Sequence, residues 1–78
     1  MMTRTQKPGI LVYCPAKERW QIQKIDHSYD LHCGDCFEIK VGYEYIPCRI
    51  ELGCEWLLYL RETRFYLHPK QKYEVKVD

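Results

Sequence analysis

Four stretches of this chain alternate apolar and polar residues with a period of two, a pattern that a β-strand satisfies and a helix does not. They are RWQIQK at residues 19–24, CFEIKV at 36–41, YIPCRIEL at 45–52 and YEVKV at 73–77. In the second, Phe37, Ile39 and Val41 share one face while Glu38 and Lys40 share the other. Apolar runs at 9–13 and 55–60 add two more candidate strands, and CPAKE between the first two reads as a hairpin loop. Pro47 cannot donate to a ladder, so it marks an edge or a bulge. Turn residues between short strands predict a mostly β domain, a small antiparallel sheet or half-closed barrel of five to six strands. Trp20, Ile22, Phe37, Ile39, Ile50, Trp56 and Val75 are its expected core, residues 1–8 a flexible arm, and residues 9–78 one domain. The segment 61–72 fits either a helical turn or a bent strand.

A 78-residue chain buries a thin core, and small scaffolds often add a disulfide, a metal or a second subunit. Five cysteines bear on that choice. No apolar run approaches the ~20 residues a membrane-spanning helix needs, and the first residues lack the apolar core of a secretory signal. The expectation is therefore a cytoplasmic protein without a membrane partner, with cysteines as thiols or metal ligands.

Cys33-Gly-Asp-Cys36 has the C-x-x-C spacing that chelates tetrahedral zinc. With strands running up and down in chain order, Cys54 approaches that pair, and His27 supplies the fourth ligand in preference to His32, whose neighbour Cys33 is already committed. A closed site of Cys33, Cys36, Cys54 and His27 would be structural, because no position is left for a reacting water. Three separate thiols and a tight turn at Gly34-Asp35 are the alternative. A redox role for the C-x-x-C pair lacks the helix N-terminus that lowers a thiol pKa. No phosphate loop, HExxH helix or nucleophile signature is present, so a non-enzymatic protein is expected.

Net charge is only +1, but its distribution is uneven. Between Asp26 and Glu55, seven acidic residues face only Lys40 and Arg49. Asp26, Asp30, Glu38, Glu44, Glu51 and Glu55 are the candidate acidic face for a basic partner groove, against the plainer reading of charges alternating outward from strands. Arg61, Arg64, Tyr66, Lys70 and Lys72 form an aromatic-basic cluster of the kind that stacks on single-stranded nucleic acid.

The stretch Tyr29–Ile39, containing LHCGDCFEI, followed by IPCRIE at 46–51 and WLLY at 56–59, resembles a domain-of-unknown-function family of small proteins from Gram-positive bacteria, plasmids, integrative elements and phages. Tyr45 and Cys48 depart from that pattern, and Cys14 and Cys54 lie outside it. The resemblance implies a mobile-element accessory protein. In size and acidic middle the chain is similar, more distantly, to anti-CRISPR inhibitors. The functional expectation is a stoichiometric inhibitor of a host protein, a Cas9-type nuclease by analogy, whose channel is positively charged. A nucleic-acid-binding module or an unspecified protein-interaction module is the alternative.

Overall fold

A computed structural model describes residues 7–77. Eight strands form one antiparallel sheet: β1 (Lys7–Cys14), β2 (Arg19–Gln23), β3 (Ser28–Asp30), β4 (Cys36–Val41), β5 (Glu44–Leu52), β6 (Trp56–Leu60), β7 (Thr63–Tyr66) and β8 (Tyr73–Val77). Their spatial order is β3-β2-β1-β8-β4-β5-β6-β7. All six expected strands are present, and the count of five to six is corrected to eight. The open segment 61–72 contains β7, and the polar 28–30 supplies β3. Of the expected arm, Lys7 and Pro8 belong to β1 and the rest lies outside the described residues. No helix among the described residues is long and apolar enough to cross a membrane.

An isolated sheet with one apolar face has nothing to cover it, and the described residues hold no helix to do so. The sheet therefore rolls over its own inner face without closing into a barrel. Phe65 of β7 meets Tyr73 of β8 edge-on at 5.7 Å, although three strands separate them in the sheet. Likewise the Arg19 guanidinium of β2 lies 5.8 Å from the ring of Trp56 on β6. The inward residues Leu11, Trp20, Ile22, Phe37, Ile39, Cys48, Ile50, Leu58, Leu60, Val75 and Val77 join Leu31 and Leu67 in one core. Of the seven expected core residues only Trp56 differs: it opens β6 at the rim and is half-buried.

The insertion of β8 between β1 and β4 breaks the expected up-and-down order. Val75 sits opposite both Gly9 and Ile39. A Cβ on Gly9 would lie 2.8 Å from Ile22 Cγ2, so glycine at this position of β1 leaves room for the Ile22 side chain of β2. Opposite charges hold the new neighbours in register, with Glu38 facing Lys76 and Lys40 paired to Glu74 at 3.4 Å. Pro47 falls where β5 pairs only with β4, because the β5–β6 ladder begins at Cys48. That is the edge expected of it.

Candidate functional site

Gly34 adopts φ +93°, the Asp35 carboxylate accepts from the His32 amide at 2.8 Å, and Gly34 N–H donates to the Ile50 carbonyl at 2.8 Å. Gly34-Asp35 is thus a turn that continues the β4–β5 ladder. The turn carrying Cys54 closes the same end, as the sequence suggested. His27 does not, because β3 carries the chain from His27 at one end of β2 to Leu31 at the other. His27 instead bonds Asp26 at 2.7 Å. Among the described residues no group of three or more His, Cys, Asp or Glu is placed to hold a metal, so the donor set Cys33, Cys36, Cys54 and His27 is not brought together. All five cysteines are free. Cys33, Cys36 and Cys54 are exposed, whereas burial pushes the Cys48 thiol up to about 12.

The acidic residues do not form one face. Asp26 is in the β2–β3 turn, and Asp30 is on the β3 edge, where Gln21 Nε2 at 2.7 Å and then Lys17 hold its carboxyl below the usual range. Glu38 lies mid-sheet, Glu44 beside the β4–β5 turn, and Glu55 in the turn at the opposite end of β5. Glu51 is paired to Arg49 at 2.8 Å. The alternation that put acids at these positions scatters them over both ends and an edge.

The aromatic-basic cluster is partly assembled. Arg61, Arg64 and Tyr66 sit on the β6–β7 hairpin, while Lys70 and Lys72 follow on the loop beyond the buried Leu67. Strand register adds two residues that linear spacing missed. Arg49, Tyr59 and Arg64 lie directly opposite one another across β5, β6 and β7 on the outer face, and the Arg49 guanidinium is 5.4 Å from the Tyr59 ring.

On the inner side of the same hairpin, the incomplete roll leaves a cleft of about 760 Å³. Its walls include Ile39, Val41, Ile46, Leu60, Phe65 and Tyr73, with Lys40, Arg61, Glu62 and Arg64 on the rim. Val41 and Phe65 are 50% and 41% exposed, a sizeable apolar area for inward-phase residues. The hairpins beside it differ in one respect. Each has a two-residue link whose first residue is left-handed: Gly42 at φ +65° and Arg61 at φ +44°. Glycine suits that position, so Arg61 holds its side chain at the rim at a cost in backbone strain. The sequence signal was the Arg61-Glu62 link itself, a hairpin turn without glycine or asparagine.

A family model described as a domain of unknown function, DUF5348, matches residues 9–77. The chain belongs to the DUF5348 family. A crystal structure of a protein from Ruminococcus gnavus is similar to it, with 31% identity, a TM-score of 0.71, and coverage of 91% of this chain and 100% of that one. No curated protein gives a significant match. The DUF5348 match spans every strand except the first two residues of β1, so the rolled sheet and its cleft both fall within the family domain.

Proposed function

We propose that this DUF5348 protein is a non-enzymatic interaction module whose cleft beneath the β6–β7 hairpin docks an acidic, apolar segment of a protein partner. The observation that carries this reading is the pairing of an apolar floor with a cationic rim. Arg61, Arg64 and Lys40 stand against one rim acid, Glu62, and Lys40 shares its charge with Glu74. Apolar area exposed to water favours association, and the rim charge selects the sign of what enters. Stoichiometric inhibition of a host protein in the cytoplasm, a CRISPR nuclease among the candidates, is the named activity that analogy with small inhibitors of similar size suggests. Its contact would be this cationic cleft on an acidic protein surface, since the scattered carboxylates supply no continuous face for a basic channel.

Capture from host lysate by the wild type, by Phe65→Asp and by Cys54→Ser tests the reading. A protein retained by the wild type and Cys54→Ser after nuclease treatment, but lost from Phe65→Asp, is the expected result. Equal retention by all three would place the binding surface elsewhere and overturn it. The row Arg49, Tyr59, Arg64 favours a second reading, single-stranded nucleic acid stacked on the outer face. That reading predicts oligonucleotide binding that falls steeply with salt and is lost in Tyr59→Ala.

A further inference from the structure

β7 is a sheet edge, and its open side has a definite phase. Leu67 N–H donates to the Trp56 carbonyl at 3.1 Å. Because backbone bonding alternates along an antiparallel ladder, Phe65 and Thr63 also direct their amides and carbonyls to β6. Arg64 and Tyr66 therefore direct theirs outward, to an edge that no strand among the described residues pairs with. All four residues of β7 are exposed. The opposite edge, β3, has three residues, and its Asp30 is already bonded to Gln21 and Lys17.

We infer that the partner segment binds by adding a strand to β7, with apolar side chains turned inward over Phe65 and into the cleft, and acidic side chains turned outward against Arg64. This rests on the docking reading above and specifies its geometry. Strand addition takes affinity from main-chain hydrogen bonds and specificity from alternate side chains. Here the alternation is set by β7 itself. Phe65 lies opposite Leu58 on the inner face, so the added residue beside it must be apolar. Arg64 lies opposite Tyr59 on the outer face, so the residue beside it must carry the acid. A second copy of the chain fits this edge poorly, because β7 paired with β7 would bring two Arg64 side chains close together. Charge on an edge strand commonly serves to block such self-pairing. A cationic edge repels its own copy and admits an acidic strand.

The probe is a short peptide alternating glutamate with valine or phenylalanine, compared with its lysine counterpart by fluorescence anisotropy and by amide hydrogen exchange read by NMR. The acidic peptide should bind and slow exchange at the Arg64 and Tyr66 amides, while those of Thr63 and Phe65, already bonded to β6, change little. The lysine peptide should not bind. Tyr66→Pro deletes one outward N–H and leaves the β6 ladder intact, and should weaken binding roughly tenfold, about 1.4 kcal/mol. Arg64→Glu should abolish it, and serves as the second variant should Tyr66→Pro fail to give the wild-type circular dichroism spectrum. Binding without protection at Arg64 and Tyr66 would overturn strand addition and leave cleft docking standing. Absence of acidic-peptide binding would also overturn it, and the Phe65→Asp capture then decides the docking reading separately. Concentration-dependent dimerisation lost in Tyr66→Pro would identify a second copy as the occupant and overturn the acidic partner.

Discussion

Trp20 is fully buried, yet its indole Nε1–H has no hydrogen-bond partner among the described residues. The ring is enclosed by Tyr13 at 5.5 Å and Tyr73 at 6.0 Å between centroids, so the side chain fills the space between β1, β2 and β8. Two substitutions separate its volume from its polar group. Trp20→Ala removes the whole ring and should cost ~3–5 kcal/mol, most of what a small domain has. Trp20→Phe loses about two apolar carbons, roughly 1.6 kcal/mol. It also removes an orphaned donor whose burial costs about 1–3 kcal/mol. The two terms nearly cancel, so Trp20→Phe should lie within about 1 kcal/mol of the wild type. Urea denaturation followed by circular dichroism is the assay, because Trp20 is itself one of the two tryptophans. A Trp20→Phe cost as large as that of Trp20→Ala would refute the reasoning: the indole N–H would then be satisfied in solution, or the roll would depend on the full indole shape.

Gly9→Ala should destabilise by ~1–3 kcal/mol through overpacking against Ile22, measured by the same denaturation, and a neutral result would mean that the Ile22 side chain of β2 has room to give way. Alkylation at pH 8 should modify Cys33, Cys36 and Cys54 quickly and Cys48 only on unfolding, since its thiol is buried and raised to about 12, with mass spectrometry as the readout. Asp30 is held below its unfolded value by Gln21 and Lys17, so its contribution is present above the unfolded pKa of about 4 and is lost as pH falls further through the folded value. Acid denaturation of Gln21→Leu should accordingly be less steep there than that of the wild type. The donor placement predicts less than stoichiometric zinc in untagged protein, and one zinc per chain with a Tm lowered by chelation and by Cys54→Ser would contradict it.

Strands with inward and outward contrast were legible, because burial itself wrote the alternation at Phe37, Ile39, Ile50 and Val75. β7 was not, since all four residues of TRFY are exposed, Phe65 in the cleft included, and no apolar-polar contrast reveals the period. β3 was hidden for a related reason, being three largely polar residues paired on one side. Insertion of β8 depends on contacts between chain ends, and local pattern carries none of that information. The zinc expectation depended on strand direction, and one unrecognised strand, β3, was enough to carry His27 away from the cysteines. The cleft's rim was half visible in Arg61 and Arg64, but Lys40, Phe65 and Tyr73 reach it only through the rolling of the sheet.

The docking cleft is tested most directly by a hydrogen-exchange footprint of the protein with its captured partner bound. Protection is expected across 61–66 and around Lys40 and Val41, with the loop 32–36 and the turn at Cys54 unchanged. Protection confined to 32–36 and 53–55, with the β6–β7 hairpin exchanging as in the isolated protein, would contradict the account.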